Sequence, residues 1–137
     1  MYYDPSEGHG MPHNPFNAIV SPRPIGWIST RSSDGTDNLA PYSFFNAVAY
    51  TPPQVMFSAT SSKADQEGTK DTVANIRQTG VFCVNIVSEK QISVMNKSSQ
   101  ALSKEIDEFE FAVIKKQECN AIHCPLVAGG PAALECK

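Results

Sequence analysis

Ile25-Gly26-Trp27-Ile28-Ser29-Thr30, the turn Ser32-Ser33-Asp34-Gly35, and the return from Asn38 through Tyr42 form the stretch that decides the fold. The first six residues suit a strand, and Pro22 and Pro24 confine its regular part to about Ile25–Thr30. Ser, Asp and Gly in succession make a strong turn, so the chain from Asn38 onward is expected to run back antiparallel. Outward from this pair, Ala47–Tyr50 reads as a strand that Thr51-Pro52-Pro53 stops, because neither proline can donate to a ladder. Val55–Ala59 reads as another strand. Upstream, Met1 to Asn17 is a lead-in rich in Gly, Pro and His, with residues 1–13 an N-terminal arm to one domain over 14–137.

Beyond a polar loop from Thr60 to Thr69 the period changes. Asp71 can cap a short helix carrying Val73 and Ile76 on one face, with Gly80 placed to end it. Val81–Val87 is β-branched and aromatic, as a buried strand should be. Ser88 and Gln91 have capping-box spacing and open a second short helix bearing Ile92 and Met95. Phe109–Lys115 alternates as a strand does, and a last strand is expected near Ala132–Lys137. Strands dominate, with two short helices between them: a small barrel or sandwich, mainly β with short helices, and not an alternating βαβ fold.

Composition agrees and excludes several functions. Eight Gly and ten Pro in 137 residues suit turn-rich β structure, and 18% charged residues argue against disorder. The net charge is −3 with no basic run, so a broad nucleic-acid face is not expected. No secretory signal and no stretch long enough to cross a bilayer are visible, so the expected compartment is the cytoplasm and no membrane partner is expected. Four cysteines (Cys83, Cys119, Cys124, Cys136) are then best read as reduced thiols.

Three groups of residues could carry chemistry. Ser29 and Thr30 at the first strand's end, Asn38, Tyr42, Ser43 and Asn46 after the turn, and Ser58, Thr60, Ser61 and Ser62 after the third strand supply many neutral donors. Converging strand ends would suit a ligand with hydroxyls and a phosphate, although such residues also populate ordinary turns. Lys70-Asp71-Thr72 opens a helix, where free N–H groups and the lysine favour an anion; an Asp71 cap would compete with it. Trp27, Tyr42, Phe44, Phe45 and Tyr50 could pack on a planar ring or simply fill a core. His9 with His13, and Cys119 with His123 and Cys124, match no common zinc spacing, so no metal is expected. Nucleophile-elbow, P-loop and dinucleotide-fingerprint motifs are absent from the sequence.

Read as strings, the same positions carry a resemblance. Asn14-Pro15-Phe16, Pro22-Arg23-Pro24-Ile25-Gly26-Trp27-Ile28-Ser29-Thr30, the block from Asn38 to Asn46, Thr51-Pro52-Pro53, Lys70-Asp71-Thr72-Val73-Ala74-Asn75-Ile76 and Pro131-Ala132-Ala133-Leu134-Glu135-Cys136 occur in order. Together they resemble the flavin reductase-like proteins, closest to the flavoredoxin-type branch, whose fold is the FMN-binding split β-barrel. The resemblance implies non-covalent FMN near a homodimer interface and NAD(P)H as electron donor. Ser29 and Thr30 would face the flavin. Asn38, Tyr42, Ser43, Phe45 and Asn46 would wrap it, with Ser58 and Thr60 on the adjacent strand end and Lys70 and Thr72 at the phosphate. Trp27 and Phe44 are left to the core. Electrons would pass to free flavin, to an acceptor protein or to a monooxygenase, with no catalytic residue in the strict sense. Two other readings stay open: a flavin-binding electron carrier or storage module without NAD(P)H activity, and a non-catalytic structural remnant. Family members usually continue past the Leu-Glu-Cys block, so the barrel is expected to be incomplete at its C-terminus.

Overall fold

The computed structural model describes residues 2–60 and 68–137. Ser61 and Ser62 lie outside the described residues. The lead-in contains a one-turn helix, α1 (Pro15–Ile19), which the sequence reading lacked. Its signals are local: Asn14 Oδ1 accepts from the Phe16 and Asn17 N–H groups, and Pro15 occupies a position where a missing N–H costs nothing.

Strands β1 (Gly26–Arg31) and β2 (Asp37–Tyr42) form the expected antiparallel pair around the Ser32–Gly35 turn, with Ser29 opposite Leu39. β3 (Phe45–Tyr50) and β4 (Pro53–Phe57) make a separate hairpin in which Val48 is an extra, bulged residue. After α2 (Asp71–Thr79), strand β5 (Phe82–Asn85) joins the other side of β1, and β8 (Ala133–Cys136) pairs with β5. The main sheet therefore has the order β2-β1-β5-β8. Ser88 and Gln91 form the expected capping box before a 3₁₀ turn (Glu89–Gln91) and α3 (Ile92–Lys97).

Two expectations need correction. Phe109–Lys115 is not a strand: α4 (Glu108–Ala112) occupies most of it, followed by β6 (Lys116–Glu118), which pairs with β7 (Pro125–Val127). The Asp107 carboxylate caps α4 by accepting from the Phe109 N–H at 2.7 Å, and Val113 ends the helix in the left-handed region. Asp71 is the first residue of α2 and not its cap. Lys70 holds the cap position, with no capping hydrogen bond from its side chain. The helix also buries Thr72 and Asn75 most deeply, while Val73 and Ile76 are half-buried.

Strand alternation divides the core. On one face of the sheet Trp27 and Leu39 pack with Phe109 and Val127, and Cys83 packs with Ile122, Cys124 and Leu126. On the other, Ile28, Tyr42 and Val84 meet Phe45, Val55 and Phe57 of the hairpin. Gly26 is required here, because a Cβ at that position would come within 2.8 Å of the Phe45 ring. Asn85 ties the layers together: its amide donates to Trp27 O at 2.9 Å and Ser29 Oγ at 3.0 Å, and its carbonyl accepts from the Val127 N–H at 2.8 Å. No helix among the described residues is long and apolar enough to cross a membrane.

Candidate functional site

β2 ends at Tyr42, and the chain turns through Ser43 and Phe44 into the hairpin. The hairpin's far strand exits through Ser58, whose N–H donates to Phe44 O at 2.8 Å. That bond holds the two exits side by side. With Lys70 they enclose a cleft of about 170 Å³ lined by Pro41, Tyr42, Ser43, Phe44, Ser58, Thr60 and Lys70. Five residues proposed from sequence (Tyr42, Ser43, Ser58, Thr60 and Lys70) thus meet. Among the described residues the lining offers hydroxyls and one ammonium, and no carboxylate.

Behind the cleft lies a buried polar layer joining β1, β2 and α2. Asn38 Nδ2 donates to Thr72 Oγ1 at 2.8 Å and Thr30 Oγ1 at 3.3 Å, and Asn75 Nδ2 donates to Thr30 Oγ1 at 3.0 Å. Asn38 and Thr72 line a smaller neighbouring cavity of about 40 Å³, which shares Tyr42 and Lys70 with the cleft. Glu108 borders it too. Its Oε2 accepts from the Leu39 N–H at 3.0 Å, covering an edge-strand donor, and burial pushes its carboxyl up to about 7.

The remaining sequence candidates lie elsewhere. Ser29 is fully buried on the opposite face from Thr30, and its hydroxyl donates to Pro125 O at 2.6 Å. Phe45 packs in the core beside Gly26, and Asn46 is exposed on β3, its Oδ1 accepting from the Ala47 N–H. Of the two aromatics expected in the core, Trp27 is there, its indole N–H donating to Ser98 Oγ at 3.0 Å. Phe44 instead walls the cleft. The Arg23 guanidinium stacks over its ring, 5.2 Å from the centroid, while donating to the carbonyls of Asn17 and Val20. Arg23, Phe44 and Glu108 were missed because their roles depend on contacts between distant segments. The one local hint was the Arg between two prolines. Among the cysteines, Cys124 is buried with its thiol donating to Ser29 O at 3.2 Å, and all four are free.

The donor set fits a phosphorylated, hydroxyl-bearing ligand. Tyr42 Oη is buried and has no hydrogen-bond partner among the described residues. A larger crevice of about 240 Å³ between the β1–β2 turn, α2 and residues 104–108 suits an anion less, being bordered by Asp34, Asp71, Glu105 and Glu108.

Residues 20–137 match the flavin reductase-like domain family, and the chain belongs to that family. Its fold is the FMN-binding split barrel. It is 40% identical over 119 residues to a protein of Aquifex aeolicus, with 87% of this chain and 60% of that one covered. It is 42% identical over 125 residues to one of Deinococcus radiodurans, covering 88% and 54%. The chain therefore spans between half and two thirds of the length of these relatives. Among solved structures, nitrilotriacetate monooxygenase component B from Bacillus cereus superposes with a TM-score of 0.86 at 29% identity, over 99% of this chain and 66% of that one. Pseudomonas fluorescens 2-nitrobenzoate 2-nitroreductase gives 0.81 at 28%, covering 100% and 64%. An FMN-binding domain of a flavin reductase-like enzyme from Shewanella baltica gives 0.69 at 25%, covering 83% and 56%.

Proposed function

We propose that this chain binds FMN non-covalently and works as an NAD(P)H-dependent flavin reductase. The observation that carries the reading is the cleft at the exits of β2 and β4, where Tyr42, Ser43, Ser58, Thr60 and Lys70 converge. When bound, FMN supplies the redox chemistry, taking hydride from a nicotinamide and passing electrons onward. The chain's own residues bind and orient. Lys70 opens α2, so its ammonium and the helix's positive end favour the same anion. Ser43, Ser58 and Thr60 offer hydroxyls to the phosphate and its neighbouring oxygens. Phe44, held by Arg23, gives the cleft a flat apolar wall. Asn38 and Thr72, hydrogen-bonded to each other, border the small cavity that Tyr42 also lines.

Two features of partnership belong to the same reading. Val48, Tyr50 and Met56 are exposed on the hairpin and Leu134 on β8, an apolar surface suited to a second copy of the chain. A monooxygenase is a fitting electron acceptor, because the Bacillus cereus neighbour is a monooxygenase component. Four free thiols suit the reducing cytoplasm.

Visible absorption of the purified protein during NADH and NADPH titration tests the proposal. Bound flavin that bleaches on nicotinamide addition is the expected result. Flavin that binds but does not bleach would favour the electron-carrier alternative, and a protein that takes up no FMN would refute both.

A further inference from the structure

We propose that Cys83 and Cys119 form a redox-active dithiol site, which small disulfides such as glutathione disulfide oxidise to a Cys83–Cys119 cross-link that fastens the β6–β7 hairpin to the central sheet. The site lies on the sheet face opposite Tyr42 and does not depend on flavin binding.

Three of the four thiols meet there. Cys83 and Cys124 are fully buried with Ile122 and Leu126, and the partly exposed Cys119 packs against them. Two anchors bring Cys119 to this place. Its N–H donates to Cys124 O at 3.0 Å, extending the β6–β7 pairing by one step. The next two residues, Asn120 and Ala121, donate their N–H groups to the Glu135 carboxylate at 2.8 and 2.6 Å. Glu135 stands directly opposite Cys83 in the β5–β8 pairing, so the two side chains are neighbours on one face. The carboxylate that clasps the loop thereby sets Cys119 beside Cys83, and the two thiols interact directly. Cys136 packs on the other face, with Phe57 and Phe82.

The surroundings choose between the two buried partners. The Cys124 thiol is turned toward β1, donating to Ser29 O at 3.2 Å, whereas the Cys83 thiol reaches Asn85 Oδ1 at 4.0 Å, a looser hold. Cys119 is the sulfur that solvent reaches. Its thiolate attacks glutathione disulfide, forming a mixed disulfide and expelling one glutathione thiolate. The Cys83 sulfur then attacks Cys119 Sγ and expels the second. Two protein thiols are oxidised, one disulfide is reduced, and the two protons leave on the glutathione thiols. Burial raises both pKa values; at Cys119 the Cys83 and Cys124 thiols favour the thiolate, and the Glu135 and Glu118 carboxylates oppose it. The first attack is therefore slow at neutral pH. The second is intramolecular between sulfurs already side by side, so the mixed disulfide does not persist.

The test incubates the whole chain with excess glutathione disulfide, blocks the remaining thiols and maps linkages by peptide mass spectrometry. Thermal melting compares the oxidised and reduced forms. The expected product has lost two hydrogens, carries no glutathione and yields a linked Cys83–Cys119 peptide pair that dithiothreitol separates. Its melting temperature should rise by about 5 °C or more, because the link closes a long loop in the unfolded chain. Cys119→Ser should abolish both the link and the rise, while Cys124→Ala and Cys136→Ser retain them. A lasting glutathione adduct on Cys119, a Cys119–Cys124 or intermolecular link, or thiols still free after prolonged incubation would overturn the inference. So would an oxidised form that melts no higher than the reduced one. Should Cys124→Ala fail to fold, the wild-type linkage map decides alone.

Discussion

Two buried carboxylates carry opposite pH signatures. Burial raises Glu108 from 4.5 to about 7, with Asp71 and Asp107 adding repulsion against the Leu39 N–H that favours its charge. Between those values the folded chain holds a proton that the unfolded chain releases. This contribution to stability is therefore complete below pH 4.5 and lost as pH rises through about 7. Glu108→Gln keeps an acceptor for Leu39 and should remove a decline of about 3 kcal/mol. Urea denaturation at pH 5 and pH 8 checks this, and identical pH slopes in the two proteins would contradict it. Asp37 behaves in the reverse sense. Burial alone would push it up, but Arg31 Nε and Lys116 Nζ, each donating at 2.6 Å, hold it below 3.8. Its stability is present above pH 3.8 and lost as pH falls through the lowered native value. Asp37→Asn should cost about 3 kcal/mol at pH 7, since it leaves Arg31 and Lys116 short of their shared buried anion. The gap from wild type should narrow in strong acid, and a constant gap from pH 7 to pH 2 would speak against the assignment.

At the scale of elements, legibility followed the strength of local signals. The β1–β2 hairpin, the end of α2 at Gly80 and the capping box at Ser88 each rest on a few adjacent residues, and each is present as read. Gly80 adopts φ +74° and has open space where a Cβ would stand, with nothing within 4 Å, so its requirement is purely conformational. Gly80→Ala should lower stability by about 1 kcal/mol and Gly80→Asn by less, measured by thermal unfolding. Equal melting temperatures for all three would remove the left-handed cap from the account. The α4 region failed because Phe109, Phe111 and Val113 alternate as in a strand, while five residues are too few to display a helical period. Asp107 followed by Glu108 and Glu110, a capping acid before an acidic first turn, was the signal for a helix. Phe109 packs against Trp27 and Leu39, and so the helix is retained.

For the whole molecule, the exposed surface is informative. Val48, Tyr50, Met56 and Leu134 contribute apolar area to it. Sedimentation velocity should show self-association at micromolar concentration. Val48→Asp, at an exposed bulge, should shift the protein toward monomer while changing monomer stability by about 0.5 kcal/mol or less. A wild-type protein that sediments as a monomer at every concentration would exclude the homodimer.

The sequence by itself determined the mainly β class, the central antiparallel pair, the short helices before Gly80 and after Ser88, and the family, because these depend on residues close together along the chain. Most of the cleft residues were also named there: Tyr42, Ser43, Ser58, Thr60 and Lys70 stand in or beside the motifs and strand ends. Tertiary structure decided which candidates share a site. It sent Ser29 to the face opposite Thr30, put Phe45 against Gly26, brought Phe44 out beside Arg23 and placed Glu108 at the edge of β2. Strand parity, sheet order and the approach of segments tens of residues apart are set by which apolar faces bury against each other, and no local pattern encodes that choice.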